Sequence, residues 1–346
     1  MDWSQLSLIA ALVLFLVLAA ECSNGWSDAP VGTSAAVASG VLTSSQALRV
    51  TAVGNFLGVL AGVLLGAAVA KTIGTGIVRP EMVSISSIGI AMGTTIAWAG
   101  IALVLGLPVS KTHSLLAALA GIGFAQGGFD ALTPASGNWR DSGWVAVGIG
   151  MFLAIVCGSA IAWFAASVVT KLGWHEKVTD QWWRRLQLCT VWGVSSGHGF
   201  NDGLKYAGIF TLVLYKAGAI PEFHVLPEVI ALCAVVMGLG TLLGGWRIHQ
   251  RLDGMVNQQE QAGSLKKPFR PYMGVCAEST SAFFIWQTGW LGIPMSTNHG
   301  VVSSMAGAKS AEGKVHTSSI IRIVWGWVVT YVFCFIIANL LAASML

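Results

Sequence analysis

The sequence predicts an all-α membrane protein made of two inverted-topology repeats, each with a broken helix and a re-entrant helical hairpin. Three observations predict it. First, 55% of the 346 residues are hydrophobic and only 10% are charged, against about 25% charged in a soluble domain. Second, apolar runs recur from end to end, near the ~20 residues that a helix needs to cross a ~30 Å hydrocarbon layer. Third, two octets, Gly106-Leu107-Pro108-Val109-Ser110-Lys111-Thr112-His113 and Gly292-Ile293-Pro294-Met295-Ser296-Thr297-Asn298-His299, share Gly, Pro, Ser and His in register. Such a composition excludes an ordinary soluble enzyme. The 42 glycines and 15 tryptophans fit a bilayer protein, because small residues let helices approach closely and indoles favour the headgroup zone. The net charge of +4 is spread among connecting loops, which reads as a topology signal rather than a nucleic-acid footprint.

The elements follow in order. Residues 5–22 resemble a signal-peptide core, but they lack a basic leader and run straight into polar sequence that reappears later, so they count as the first membrane helix. Further apolar segments lie near 46–70, 82–105, 112–127, 143–170, 186–217, 225–246, 274–293, 299–308 and 318–345. The segments ending at Leu105 and Leu291 run into the two octets, and several others are too short to be simple spans. Thr94-Thr95 precedes the first octet by the interval at which Thr280-Ser281 precedes the second, and Gly25-Trp26-Ser27-Asp28 parallels Gly199-Phe200-Asn201-Asp202. The chain therefore divides into repeats 1–173 and 174–346, around a short polar link that carries Lys171, Lys177, Arg184 and Arg185. Repeats of this kind mark secondary transporters. If each octet is a hairpin tip that does not cross, each half crosses an odd number of times and the halves are inverted. Both basic loops, 171–185 and 247–270, then share the cytoplasmic side under the positive-inside rule, and both termini lie outside. The 247–270 loop is the one long polar excursion. The six cysteines show neither Cys-x-x-Cys nor Cys/His ligand spacing and read as packing residues.

A proline break between two half-helices frees backbone amides at the start of the second, and these form an anion site together with nearby hydroxyls. Inside a membrane such a break survives only where it lines a cavity. The donors are Ser110 and Thr112 with Lys111 in the first half, and Ser296, Thr297 and Asn298 in the second, supported by His113 and His299. The blander alternative is that Gly-x-Pro only kinks each helix while the hydroxyls back-bond to carbonyls. Asp28 and Asp202 stand in glycine-rich interruptions, where a carboxylate at membrane depth costs about 2.5 to 3.5 kcal/mol and is functional by default. They hold a coupling ion, either a proton or Na⁺ as a metal ligand, with Ser27 and Asn201 adding neutral oxygens; otherwise each caps a helix just outside the bilayer. Lys205, one turn after Asp202, neutralises it. Glu278 is a further intramembrane acid or an interfacial residue at a hairpin entrance. The histidines, His198 among them, either carry a proton or bond a carbonyl to lock the fold. No zinc spacing, phosphate-binding ATP loop or Gly-x-Ser-x-Gly elbow is present, so no enzyme activity and no cofactor is expected, and energy comes from an ion or substrate gradient.

These motifs resemble the inorganic phosphate transporter family, often called PiT, in its bacterial low-affinity permease form, over nearly the whole chain. His198-Gly199-Phe200-Asn201-Asp202-Gly203-Leu204-Lys205 is similar to the bacterial H-G-x-N-D-G-x-K signature, and Asn24-Gly25-Trp26-Ser27-Asp28 to the N-G-F-H-D start, with Asn55-Phe56-Leu57-Gly58 following as it does there. The octets resemble the family's G-x-P-x-S-x-T-H, the first at every fixed position and the second at all but one. The resemblance implies a symporter of inorganic phosphate working by alternating access, with hairpin hydroxyls holding the anion and the Asp motifs holding cations. It also implies a multi-pass protein of the bacterial inner membrane. The expected partners are phosphate or sulfate, H⁺ or Na⁺, the lipid bilayer and, where the chain assembles, a homodimer; nucleic acid is not among them. The chain departs from the pattern at Val31 and Pro30 and at Ser27, which removes amide oxygens and favours H⁺ over Na⁺. Lys111 replaces a hydroxyl residue at the first tip and Asn298 replaces Thr at the second. Two rival readings follow: a sulfate permease on the same fold, and a nutrient sensor that binds but does not transport.

Overall fold

The computed structural model describes residues 6–105, 109–132, 142–244, 269–313 and 317–345, and in them every regular element is helical. Residues Gly106, Leu107 and Pro108 of the first octet, and nearly all of the expected 247–270 loop, lie outside the described residues. The helices are α1 (Leu8–Ser27), α2 (Ser34–Ala38), α3 (Ser44–Leu65), α4 (Ala68–Lys71), α5 (Ile85–Leu105), α6 (Lys111–Gly127), α7 (Gly143–Phe152) and α8 (Gly158–Lys171). They continue as α9 (Trp174–Lys177), α10 (Asp180–His198), α11 (Leu204–Lys216), α12 (Pro227–Leu243), α13 (Pro271–Trp290), α14 (Thr297–Ser310) and α15 (Thr317–Ala343). Among the described residues, six stretches are long and apolar enough to cross a membrane: Leu8–Ala38, Ser44–Leu65, Ile85–Ala102, Lys111–Leu132, Gly143–Lys171 and Val324–Ala343. The chain is an all-helical membrane protein, as its apolar runs predict.

The distribution of polarity is that of a protein in lipid. Large apolar side chains such as Leu8, Leu12, Phe15, Leu64, Phe164 and Leu340 stand exposed, while Glu21, Asn24, Asp28, Lys111, Asp202 and Lys205 are buried. Lipid solvates the first set, and the second is tolerated only where protein partners replace water.

Three kinds of break position the polar residues. Proline at position 30 has no amide to donate and biases Ala29 away from α geometry, so α1 stops at Ser27 and the chain continues as a tight turn, Ala29–Thr33. That end lies beyond the predicted limit at residue 22, because Glu21 and Asn24 are helical residues turned inward rather than the start of a loop. The second break is a widened turn, Gly199–Gly203, between α10 and α11; such turns leave the regular hydrogen-bond ladder locally open. The third kind recurs twice: α6 and α14 both begin after an extended serine, Ser110 and Ser296, whose hydroxyl caps the helix by accepting from the amide of His113 or His299.

Close helix crossings fix these breaks in space. At Gly121 of α6, a Cβ would stand 2.4 Å from the Phe335 carbonyl oxygen of α15, and at Gly307 of α14 it would stand 2.1 Å from that of Ser159 in α8. Only the missing side chain allows backbones to meet this closely.

Candidate functional site

The ends of α6 and α14 meet head to head. The Ser110 and Ser296 hydroxyls lie 2.9 Å apart, so each helix cap touches the other. Both serines are buried, as are the neighbours Lys111, Thr112, Thr297 and Asn298. The amides of two helix N-termini and a ring of hydroxyls therefore converge on one point, which is the arrangement that attracts an oxyanion. Asn298 is turned partly aside, donating its amide to the Val109 carbonyl at 3.1 Å.

Two aspartates close this point from beneath. Asp28, at the end of α1, accepts from the Lys111 backbone amide at 2.9 Å and from the Ser27 hydroxyl at 3.2 Å. One amide that the sequence assigns to the anion is thus held by a carboxylate. Asp202, in the widened turn, receives the Lys205 ammonium at 2.6 Å and the Thr297 hydroxyl at 3.1 Å on one oxygen. Its other oxygen faces His198 Nε2 at 3.4 Å. Lys205 reaches further, donating to Thr112 Oγ1 at 2.8 Å and to the Met295 carbonyl at 2.6 Å. The spacing of Lys205 and Asp202 in one helical turn correctly predicts their pairing, whereas the link to both tips comes from the tertiary fold.

Asn201 points toward α13 and the segment after it, its amide donating to Thr288 Oγ1 at 3.1 Å in the helix and to the Ile293 carbonyl at 3.3 Å beyond its end. The carbonyl oxygen of its side chain has no partner among the described residues. Ser27 serves Asp28 and bonds back to the Ser23 carbonyl at 3.0 Å. The supporting histidines lie together behind the tips: the His113 and His299 rings are 4.1 Å apart, His299 Nδ1 is 2.6 Å from Ser296 Oγ, and Trp327 and Tyr331 pack on them.

Glu278 is not brought to this cluster. It takes the Gln187 amide at 3.2 Å and the Thr190 hydroxyl at 2.6 Å, in a buried polar group that also includes Ser39. Thr288, on the same helix, touches Asn201 ten residues later, which puts Glu278 about 15 Å away along the axis at 1.5 Å per residue. A different acid is present instead. Glu21 of α1 is fully buried and within the electrostatic reach of both Asp202 and Lys205. One of its oxygens receives Asn24 at 3.4 Å and the other has no partner among the described residues. Glu21 precedes Asp28 by two helical turns on the same face, and the rule that intramembrane acids are functional would have found it. Asn55 and Thr241 extend the network: Asn55 bonds His198 Nδ1 at 2.9 Å and Thr241 Oγ1 at 3.1 Å.

The chain is similar to known proteins over most of its length. The sequence profile of the phosphate transporter family matches residues 24–181 and 170–338. A Rhizobium meliloti protein named "Probable low-affinity inorganic phosphate transporter" is 31% identical over 312 residues, 89% of this chain and 87% of its own. A Bacillus subtilis protein of the same name is 29% identical over 332 residues, 94% of this chain and 93% of its own. The solved structure titled "The sodium-dependent phosphate transporter" superposes with a TM-score of 0.76 at 21% identity, over 98% of this chain and 99% of that one, and so shares the fold. This chain is therefore a member of the phosphate transporter family, a family of permeases rather than enzymes.

Proposed function

We propose that this protein imports inorganic phosphate across a bacterial inner membrane by symport with H⁺. The halves 1–173 and 174–346 are inverted repeats, both termini lie outside, and access alternates between the two sides. The observation that carries the reading is the 2.9 Å contact between Ser110 and Ser296, which joins two helix N-termini over buried aspartates. The repeat reading is supported by reciprocal packing: Gly121 and Gly307 stand at the same interval as the two octets, and each crosses the last long helix of the opposite half. Phosphate is favoured by the relatives' names and by chemistry. Protonated phosphate donates a hydrogen bond that a carboxylate such as Asp28 accepts, whereas sulfate has no proton to give.

The anion lies between the tips, held by the hydroxyls of Ser110, Thr112 and Ser296 and the charge of Lys111, with the Thr297 hydroxyl and the Asn298 amide joining once they turn from Asp202 and the Val109 carbonyl. Asp28 handles the coupled proton. H⁺ is preferred to Na⁺ because the first motif carries Ser27 and Val31 where the family pattern has amide side chains, leaving few neutral oxygens around Asp28. The test is uptake of labelled phosphate and labelled sulfate into proteoliposomes under imposed pH and Na⁺ gradients. Phosphate uptake driven by an inward proton gradient is expected. Uptake driven by Na⁺ alone refutes the coupling ion, sulfate uptake alone refutes the substrate, and binding without movement turns the protein into a sensor.

A further inference from the structure

Lys205 is wholly buried, and its ammonium donates to a carboxylate oxygen of Asp202 at 2.6 Å, the hydroxyl of Thr112 at 2.8 Å and the carbonyl of Met295 at 2.6 Å. Carboxylate, hydroxyl and unwound backbone carbonyl make up the oxygen set that a hard alkali cation takes in a transporter core. The accepting oxygens come from the widened turn after α10, the start of α6 and the approach to α14, so the ammonium ties both tips to the aspartate. Asp202 has little left to offer an ion: the same oxygen takes Thr297, and the other faces His198 at 3.4 Å. The residues at Asp202 therefore do not fit a free Na⁺, although the structure that shares this fold is titled as sodium-dependent.

We propose that the Lys205 ammonium is a tethered cation that permanently occupies the coupling-ion position at Asp202, so that this half of the carrier needs no Na⁺. A mobile cation neutralises an aspartate only while it is bound, and its arrival and departure are tied to the transport cycle. A covalently held ammonium does so at every stage, so neither binding nor release of an ion at Asp202 contributes to coupling. The inference rests on the transport reading above and deepens it by naming which aspartate is excluded from ion coupling.

The test uses purified full-length protein in choline and in Na⁺ buffers, read by thermal melting and by phosphate uptake in proteoliposomes. Wild type is expected to melt at the same temperature in both. Lys205→Ala vacates the oxygen set: its uptake is expected to fall about tenfold or more in choline, with Na⁺ both raising its melting temperature and restoring uptake. A purely structural ion pair would show no such rescue. Full uptake by Lys205→Ala in choline overturns the proposal, as does folded Lys205→Ala that responds to Na⁺ in neither assay. Should Lys205→Ala fail to fold, wild type decides. A Na⁺-induced rise in its melting temperature that Asp202→Asn abolishes overturns the proposal, and the absence of any rise upholds it. Melting requires no phosphate, so a protein that moves no phosphate at all refutes the transport reading without deciding this one.

Discussion

Replacing Ser296 separates the two jobs that the geometry gives its hydroxyl. The hydroxyl caps α14 by accepting from the His299 amide at 3.4 Å, and it meets Ser110 at 2.9 Å where the anion is proposed to bind; its 2.6 Å contact with His299 Nδ1 is lost equally in either replacement. Loss of a serine cap to alanine costs about 1 kcal/mol of stability, while glycine in its place costs only a few tenths. Loss of a hydrogen bond to a charged group costs about 1.5 to 3 kcal/mol, offset by the roughly 0.5 to 1.5 kcal/mol serine–serine bond that wild type must break to receive the anion. The midpoint of the net loss is about 1.25 kcal/mol, or roughly eightfold in affinity. Ser296→Ala and Ser296→Gly should therefore raise the KM for phosphate equally, while alanine lowers the melting temperature more. Uptake kinetics in proteoliposomes and melting of the same preparations give both quantities. A KM within twofold of wild type in both variants refutes the anion site. A KM that follows the melting temperature instead shows that the serine acts only as a cap.

Asp202→Asn leaves the Lys205 charge buried without its counterion, which costs about 3 to 5 kcal/mol; adding Lys205→Met should recover most of that stability, and melting of the single and double variants checks it. Asp28→Asn should retain exchange of internal for external phosphate while losing net uptake driven by a pH gradient; net uptake at the wild-type rate removes Asp28 from the proton path. Lys111→Thr withdraws a fixed positive charge that favours a dianion, so the ratio of phosphate to sulfate uptake should rise, and an unchanged ratio measured with both labels counts against its role. Gly307→Ala places a Cβ 2.1 Å from the Ser159 carbonyl oxygen, an overpacking that costs about 1 to 3 kcal/mol and should lower the melting temperature accordingly.

The helices and their breaks were legible because each rests on a local rule. An apolar run must be helical in lipid, and a proline or a capping serine marks where a helix stops or starts. Lys205 beside Asp202 was legible for the same reason, as a pair one helical turn apart. What the chain does not write locally is the direction a side chain faces. Glu278 and Thr288 share α13, yet one belongs to the Gln187 group and the other to Asn201. Nor does it write that the Asp28 carboxylate takes the first amide of α6, a contact across 83 positions of sequence. Glu21 is not legible locally, because one acid at the end of an apolar run looks like the edge of the membrane, whereas α1 carries it onward into the core.

These non-local contacts make the two halves unequal despite their matching motifs. Asp202 has a lysine ammonium in direct contact. Asp28, its counterpart by motif, is held by a backbone amide and a hydroxyl, and has no ion pair among the described residues. Lys111 lends it a favourable field without touching its carboxylate through the ammonium. A coupled proton must bind where charge is left incompletely balanced, because a group already neutralised gains little from receiving it. Asp28, with Glu21 two turns before it on the same helix, meets that condition and Asp202 does not. On the proposed proton-coupled reading, this asymmetry favours the first half as the seat of coupling, the half whose motif departs further from the family pattern.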